Sequence, residues 1–306
     1  MKTIALGGTS LQVPAVAVGC MRLCGREVKE ADRFVQSCLE QGANFFDHAD
    51  IYGSGDCEAL FGEVLEQHPG LREHMVLQTK CGIVPGKMFD FSKEHILSSV
   101  EASLKRLHTD YLDILLLHRP DTLMEPEEVA EAFDTLHAEG KVRYFGVSNH
   151  NPMQIQLLQQ ALPFHLVADQ LQFSPTNAGM VSCGLEVNME TAGGVNRDGS
   201  ILEYCRLHHI TIQTWSPFQY GFFKGVYLGN DAYPELNQAI DAVAEKYGVT
   251  NTAVVAAWIL RHPANMQIVT GTMKASRIKE ICTGSDLTLT REEWYRIYLA
   301  AGHILP

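Results

Sequence analysis

Four polar residues of complementary chemistry stand at or just after the ends of short apolar segments. Asp47 and Tyr52 follow the segment 43–46, Lys80 follows 75–78, and His118 follows 111–117. Each segment is typical of a buried strand. The carboxyl ends of parallel strands converge at one mouth of a closed barrel, where such barrels do their chemistry. An acid, a phenol, an amine and an imidazole together would suit a proton donor with the groups that tune it.

Each of the four residues also has an ordinary structural interpretation. A single tyrosine is often a packing residue, a histidine after a leucine run is often a hydrogen-bonded core residue, and an aspartate can cap a turn. Lys80 is the hardest to explain in this way, because a lysine at a barrel mouth is costly unless it is paired. Asp47 is its obvious partner, so the set is far more specific than any single member.

Strand-like and helix-like segments alternate along the chain, which indicates a parallel sheet with helices outside it. Eight such units in 306 residues predict a single α/β domain, a (β/α)8 TIM barrel spanning residues 1–306. Residues 2–12 predict an N-terminal hairpin that plugs the bottom of the barrel. Extra C-terminal helices include 291–301, which begins with the capping pattern of Thr290 and Glu293. The predicted strands are 15–18, 43–46, 75–78, 111–117, 142–147, 166–171, 210–215 and 267–269.

One connection is unusually long for a barrel. Residues 172–200 separate the sixth predicted strand from the helix after it. Loops of that length are usually functional or mobile. Because it follows a strand, we expect this loop on the catalytic face. A tolerated surface insertion is an equally good interpretation.

The overall charge and composition exclude several classes of function. Hydrophobic residues make up 46% of the chain, which is enough for one large domain with a substantial core. Because the formal net charge is −12, we expect no nucleic-acid partner, although a local phosphate site is allowed. No apolar run reaches the ~18 residues that span a bilayer, and the glycine-broken N-terminus does not predict a signal peptide. We expect a cytoplasmic protein with no membrane partner.

Eight cysteines are scattered along the chain without a Cys-x-x-Cys pair or zinc-ligand spacing, so we expect reduced thiols and no metal. Cys81 is the neighbour of Lys80, and a nearby cation would favour its thiolate. A packing role at the barrel rim is the favoured interpretation of Cys81.

Several common nucleotide and hydrolase motifs are absent. The chain has no G-x-G-x-x-G fingerprint, P-loop, H-E-x-x-H or G-x-S-x-G, so any nucleotide must be held in another way. The chain carries instead these ordered stretches: Phe46-Asp47-His48-Ala49-Asp50-Ile51-Tyr52-Gly53, Gln78-Thr79-Lys80-Cys81, Leu116-Leu117-His118-Arg119-Pro120-Asp121, Gly146-Val147-Ser148-Asn149, Asp169-Gln170-Leu171-Gln172-Phe173-Ser174-Pro175, Trp215-Ser216-Pro217, and Gly271-Thr272-Met273-Lys274 with Arg277. With these stretches the chain resembles an aldo-keto reductase, closest to the bacterial general aldo/keto reductases.

The resemblance implies a role for each of the four strand-end residues. Tyr52 would be the general acid for carbonyl reduction. Its phenol has a reference pKa of about 10, which Lys80 would lower by favouring the phenolate. Asp47 would hold Lys80, and His118 would orient the substrate carbonyl. A reduced nicotinamide would supply the hydride, because no side chain can deliver one.

The remaining stretches would hold the cofactor, NADPH. Polar groups of three residues would bind the nicotinamide carboxamide, and Trp215 would stack on the ring unless it is a core residue. A glycine-containing entry loop would let the cofactor approach closely. Two cations would suit a 2′-phosphate, although a solvated helix face is the alternative. The predicted contacts are Gly19, Cys20 and Met21 in the entry loop; Ser148, Asn149 and Gln170 at the carboxamide; Ser216, Phe218 and Gly221 along the pyrophosphate; and Gly271, Thr272, Met273, Lys274 and Arg277 at the adenosine ribose.

The resemblance therefore predicts NADPH-dependent reduction of small aldehydes or ketones by a monomer or weak homo-oligomer. Gly271 stands where some branches of the family have a lysine, so the preference for NADP rests on fewer cations. The loop 172–200 is longer than the family pattern predicts, so the resemblance does not identify the substrate. Two alternatives remain. One is a Schiff-base barrel enzyme with Lys80 as its nucleophile. The other is a non-catalytic nicotinamide-binding redox sensor or regulatory subunit, as in the potassium-channel β-subunits of the family.

Overall fold

The computed structural model describes residues 1–306 as a closed barrel of eight parallel strands, as the sequence predicts. Each strand pairs with the next along the chain, and the eighth pairs with the first. All residues of β3 and β4 are buried, as expected for strands with helices outside and other strands inside. The strands are β1 (Val16–Gly19), β2 (Phe45–Asp47), β3 (Val76–Cys81), β4 (Leu112–Leu117), β5 (Val142–Ser148), β6 (Leu166–Gln172), β7 (Thr211–Trp215) and β8 (Met266–Thr270).

Eleven helices surround or cap the barrel, and none is long and apolar enough to cross a membrane. Several begin at side chains that accept a backbone N–H, among them Asn151 and the predicted cap Thr290, each in a reciprocal capping box. The helices are α1 (Val28–Glu40), α2 (Asp56–Gln67), α3 (Lys93–Arg106), α4 (Pro126–Ala138), α5 (Pro152–Ala161), α6 (Gly179–Leu185), α7 (Ile201–Leu207), α8 (Pro234–Tyr247), α9 (Asn251–Arg261), α10 (Ala275–Ser285) and α11 (Arg291–Ala300).

The N-terminal hairpin closes the amino end of the barrel, as predicted. Its strands Thr3–Ala5 and Gln12–Pro14 pair antiparallel, and the turn Leu6–Gly8 lies between them. Leu6 is fully buried in an apolar cluster with residues of β1, β2 and β4. The Gly7 amide donates to Thr211 Oγ1 at 2.8 Å, and a Cβ at Gly7 would lie 2.4 Å from Val167 Cα. Only glycine permits this contact. Because the hairpin covers this end of the barrel, the opposite end is the open mouth.

Two short hairpins stand at the carboxyl ends of the strands. Ile83–Val84 pairs with Met88–Phe89 after β3, and Gln219–Tyr220 pairs with Gly225–Val226 after β7. Both extend the walls of the mouth above the strand ends.

Helices α9 and α10 approach each other closely through Gly284. A Cβ at this position would lie 2.2 Å from the carbonyl oxygen of Ala253. We expect Gly284→Ala to lower the free energy of unfolding by about 1–3 kcal/mol, because the two helices must separate. Gly179→Ala is the control, since a Cβ there meets nothing within 4 Å. Urea unfolding measures both, and equal stabilities of the two variants would contradict this account of the packing.

Candidate active site

A cavity of about 800 Å³ opens at the carboxyl ends of the barrel strands. This volume is within the range of small-molecule sites. Asp47, Tyr52 and His118 line it, and Lys80 lies just beneath them in contact with Tyr52. Of the fifteen residues predicted to hold a cofactor, thirteen line the same cavity, so barrel closure gathers strand ends that are up to about 250 residues apart in sequence. The two exceptions are Cys20 and Gly221.

Lys80 and Asp47 form an ion pair with no exposed surface on the ammonium. Lys80 Nζ donates to both carboxylate oxygens of Asp47 at 2.8 Å and to the His48 carbonyl at 2.7 Å. A longer contact of 3.3 Å joins Nζ to the Tyr52 hydroxyl oxygen. Burial opposes the charge of Lys80, but the Asp47 carboxylate and the Tyr52 hydroxyl outweigh it, and the pKa of Lys80 is raised. The ammonium is therefore held charged directly beside the phenol.

A chain of glutamines inside the barrel supports this ion pair. Gln78 Nε2 donates to Asp47 Oδ1 at 2.6 Å, and Gln170 Nε2 reaches the same oxygen at 3.2 Å. Both amides also donate to Gln213, which in turn donates to Gln267 at 2.9 Å. These buried amides satisfy one another and complete the hydrogen bonds of the carboxylate. The sequence analysis did not identify this network, although all four glutamines lie within predicted or adjoining strand positions.

The turn that carries Tyr52 rests on a second buried charge. Glu58 accepts from Thr79 Oγ1 at 2.5 Å and from Arg106 Nε at 2.8 Å, and its side chain is fully buried. The Arg106 side chain lies under Gly55, where a Cβ would come within 2.9 Å of Arg106 Cδ. Gly55 has a φ of +100°, which glycine adopts without strain. The Glu58–Arg106 pair thus positions the single helical turn that begins at Tyr52.

The balance of effects on Tyr52 differs from the expectation. Burial raises the pKa of the phenol and outweighs Lys80, which acts in the opposite direction, so the pKa of Tyr52 is raised. The prediction of a lowered pKa was wrong for this state because it considered the cation and neglected desolvation. The phenol accordingly holds its proton at neutral pH. Lys80 remains the group that would stabilise a phenolate if the proton left.

His118 stands edge-on to Tyr52, with ring centroids 6.0 Å apart. Burial, and then the positive charges of Lys80 and Arg119, hold the pKa of His118 well below its usual range. The imidazole is therefore neutral at pH 7. Its Nδ1 is buried without a partner, so Nε2 is the nitrogen available to a ligand in the cavity. A neutral ring in this place can orient a polar group without acting as a competing acid.

The residues at the ends of β5 and β7 form a linked polar and aromatic wall. Trp215 Nε1 donates to Asn149 Oδ1 at 3.1 Å, and Asn149 Nδ2 donates to Ser148 Oγ at 2.7 Å. Asn149 and Ser216 adopt φ values of 59° and 52°, a strained conformation that is concentrated at functional sites. Trp215 is half-buried with one side towards the cavity, so its interpretation as a core residue was wrong. Gln170 Oε1 accepts no hydrogen bond from the protein.

An aromatic flap follows β7 and stands next to Trp215. Phe222 and Phe223 occupy the tip of the Gln219–Val226 hairpin, with their ring centroids 6.3 Å and 6.2 Å from that of Trp215. They are 64% and 48% exposed, which is unusual for phenylalanine and leaves apolar surface facing the cavity. Gly221 is exposed at the same tip but does not line the cavity. Gly221 was predicted from the sequence, whereas the two phenylalanines were not.

The cavity is strongly electropositive. Five cationic side chains line it, and the one carboxylate among the lining residues, Asp47, is neutralised by Lys80. Two of the cations, Lys274 and Arg277, were predicted; the other three are Arg22, Arg26 and Arg119. Arg22 donates to the carbonyl of Gly271 at 3.0 Å, so it lies at the β8 end with Lys274 and Arg277. Asn251 and Thr252, at the start of α9, complete that end of the cavity.

These residues fit an anionic dinucleotide. The cations at the β8 end suit phosphate groups, and the Trp215 face with the free Gln170 oxygen suits a flat ring that carries an amide. Gly19 also lines the cavity, and a Cβ there would lie 3.2 Å from the Thr270 carbonyl. The entry loop therefore has little room for a side chain at this point.

Two cysteines near the site are packing residues. Cys20 is buried and does not line the cavity, and burial raises its pKa well above the ordinary value. Cys81 behaves in the same way, because burial and then the carboxylates of Asp50 and Glu58 raise its pKa. The favoured interpretation of Cys81 as a packing residue is therefore confirmed, and the alternative of a thiolate is contradicted.

The long loop contributes nothing to the cavity wall. None of residues 172–200 lines the cavity, and the loop contains the short helix α6. Ser182 Oγ lies 2.8 Å from the Tyr298 hydroxyl, and His303 Nε2 lies 2.7 Å from the Pro175 carbonyl, so the loop packs on the C-terminal segment. At its start the loop also supports the hairpin beside the cavity, because Gln172 Nε2 donates to the Gly221 carbonyl at 3.1 Å and Thr176 Oγ1 to the Gln219 carbonyl at 3.2 Å.

Comparison with known proteins gives consistent matches over nearly the whole chain. The model of the Aldo/keto reductase family matches residues 15–300. The uncharacterized oxidoreductase YcsN of Bacillus subtilis is 38% identical, with 97% of each chain covered. The 6-dehydroglucose reductase of Agrobacterium fabrum is 36% identical, with 98% of each covered. A solved aldo/keto reductase from Klebsiella pneumoniae, in complex with NADP and acetate, has a TM-score of 0.76 at 24% identity and covers 97% of this chain and 94% of its own.

The buried ion pair predicts a specific pattern of stabilities. Lys80→Met leaves the Asp47 carboxylate buried without its cation, so we expect a loss of about 3–5 kcal/mol in the free energy of unfolding. The double variant Asp47→Asn with Lys80→Met removes both charges, and we expect it to be more stable than Lys80→Met alone. Urea unfolding of the two single variants and the double variant measures the coupling. Simple additivity of the single losses would show that the two charges do not depend on each other.

Proposed function

Since the chain belongs to the aldo/keto reductase family, we propose that it reduces small aldehydes or ketones to alcohols with NADPH, with Tyr52 as the general acid. The observation that carries this proposal is the phenol at the floor of an electropositive cavity, 3.3 Å from the ammonium of Lys80. The coarser activity, carbonyl reduction by an oxidoreductase, is the family's. The acid and the cofactor are inferred from this chain's own residues.

The proton transfer follows from the charges around Tyr52. The substrate carbonyl oxygen accepts a hydrogen bond from the protonated phenol and a second one from neutral His118. When bound, the reduced nicotinamide supplies the hydride to the carbonyl carbon. As negative charge develops on the oxygen, Tyr52 gives up its proton, and the resulting phenolate is stabilised by Lys80. Asp47 keeps Lys80 charged and in place throughout.

The preference for NADPH over NADH rests on cations at the β8 end. Lys274 and Arg277 make no side-chain hydrogen bond or ion pair within the protein, and both line the cavity. Arg277 also lies in the first turn of α10, where the free backbone N–H groups favour an anion. These groups would bind the 2′-phosphate, which NADH lacks. The NADP in the Klebsiella pneumoniae structure supports the same choice of cofactor.

The Schiff-base alternative is poorly supported by the surroundings of Lys80. A nucleophilic lysine needs a neutral amine, but Nζ lies within hydrogen-bond distance of four oxygen atoms and its pKa is raised. The redox-sensor alternative requires no turnover. All four catalytic side chains are assembled, which favours an enzyme, and sustained NADPH consumption with an aldehyde would separate the two functions.

We expect Tyr52→Phe to lower kcat for aldehyde reduction by about 100-fold or more, because the proton donor is lost. NADPH affinity should change little, since the phenol faces the substrate. Tyr233→Phe is the matched control: the Tyr233 hydroxyl makes no hydrogen bond and does not line the cavity. Steady-state kinetics and NADPH fluorescence titration measure the two effects. A kcat near that of the wild type would remove Tyr52 from the mechanism.

We expect Arg277→Ala to weaken NADPH binding by about one to two orders of magnitude in Kd, which corresponds to one charge-assisted contact. NADH binding should weaken far less, because NADH has no 2′-phosphate. Lys279→Ala is the control, since Lys279 is exposed on the same helix and lies outside the cavity. Fluorescence titration of both cofactors decides the matter. Equal losses for the two cofactors would assign Arg277 to the fold or to adenine.

A further inference from the structure

Arg119 is a half-buried cation without a hydrogen-bonding or ionic partner in the protein. It follows His118 at the end of β4 and lines the cavity, yet its guanidinium makes no hydrogen bond or ion pair. The nearest aromatic surface is Trp215, whose ring centroid lies 5.9 Å from Arg119 Cζ. Burial lowers the pKa of Arg119, and the phenol of Tyr52 is the titratable group close enough to oppose this. Apart from this cation–π contact, the five N–H donors of Arg119 have no acceptor within the protein.

Elsewhere the chain provides partners for its partly buried arginines. Arg72 donates to Asp113 at 2.9 Å, and Arg106 donates to Glu58 at 2.8 Å. Even the exposed Arg143 reaches Asp113 at 2.9 Å. A guanidinium that loses water without gaining an acceptor is unfavourable. The exception at Arg119 therefore indicates a group that arrives with the ligand.

The position of Arg119 separates it from the cations assigned to the cofactor phosphate. Arg22, Lys274 and Arg277 lie at the β8 end, whereas Arg119 lies at the β4 end. In the order of this closed barrel, β4 and β8 are four strands apart and face each other across the mouth. A 2′-phosphate held beside β8 leaves Arg119 unoccupied. Arg119 shares its own side of the mouth with His118 and is close to Tyr52.

We propose that Arg119 binds an anionic group on the substrate itself, so that the preferred substrates are aldehydes or ketones that carry a carboxylate or a phosphate ester. This inference rests on the proposed carbonyl reduction. Arg119 and His118 line the same cavity, so one small substrate can present its carbonyl to His118 and its anion to Arg119. The guanidinium fork matches the paired oxygens of a carboxylate or phosphate. The excess of cations in the cavity also attracts such a substrate to a protein of net charge −12.

The test compares charged and uncharged substrates of matched length. Succinic semialdehyde and its methyl ester differ in one carboxylate, and glyceraldehyde 3-phosphate and glyceraldehyde differ in one phosphate. Arg119→Gln should lower kcat/KM for the charged substrate more than for its uncharged counterpart. In the pair that carries the anion bound by Arg119, we expect this difference to be about 10- to 100-fold, the range of one charge-assisted bond. The pair with the larger ratio identifies the anion. Arg119→Lys, which keeps the charge, should restore part of the loss.

A binding measurement keeps the inference independent of turnover. Calorimetry of butanoate or glycerol 3-phosphate with the NADP-loaded protein should show binding that Arg119→Gln weakens by a similar factor. If Tyr52→Phe stops turnover but Arg119→Gln affects charged and uncharged substrates equally, the anion site is wrong and the reductase stands. If no aldehyde is reduced, the proposed function fails, and the calorimetry alone decides whether Arg119 binds an anion. Equal weakening of NADPH binding by Arg119→Gln would make it a cofactor contact instead.

Discussion

The buried pair of Asp47 and Lys80 is the constraint on which the architecture of this site depends. Moving a carboxylate and an ammonium out of water costs several kcal/mol per ion, and the cost is recovered only when both are fully bonded. Lys80 meets this requirement with two carboxylate oxygens, a carbonyl and a phenol. Asp47 meets it with Lys80 and two glutamine amides. The glutamine side chains inside the barrel surround this pair. Beneath them, the N-terminal hairpin and its apolar cluster close the amino end of the barrel.

The distribution of charge is the second property that defines the protein. Its net charge of −12 repels anions in general, while the mouth of the barrel presents five cations against one neutralised carboxylate. Field lines focus in such a cleft, so small anions are guided to it from solution. Three of these cations, Arg22, Lys274 and Arg277, lie beside β8, whereas Arg119 stands at the end of β4. This division matches a ligand with one anionic end and a second, smaller anion across the reaction centre.

Much of the fold and the site can be predicted from local patterns. The βα alternation and the cap at Thr290 are local signals, and the structure bears them out. Strand-end position was sufficient to group Asp47, Tyr52, Lys80 and His118, because a closed parallel barrel must bring strand ends together. The pKa of Tyr52 was predicted in the wrong direction, since its sign depends on how completely the ring is desolvated, and burial depth is not a local property.

The sequence by itself determined the barrel, the four polar residues that meet at its mouth and the family to which the chain belongs, because each of these is encoded in residue types at short spacing. The tertiary structure alone decided which polar groups remain without partners. Arg119 stands within a recognisable stretch, but only the closed barrel shows that no acceptor reaches it and that Arg22, Lys274 and Arg277 lie opposite. The glutamine network and the packing of residues 172–200 on α11 likewise depend on contacts between segments far apart in the chain. Such contacts leave no trace in local periodicity, because they are set by how the strands close.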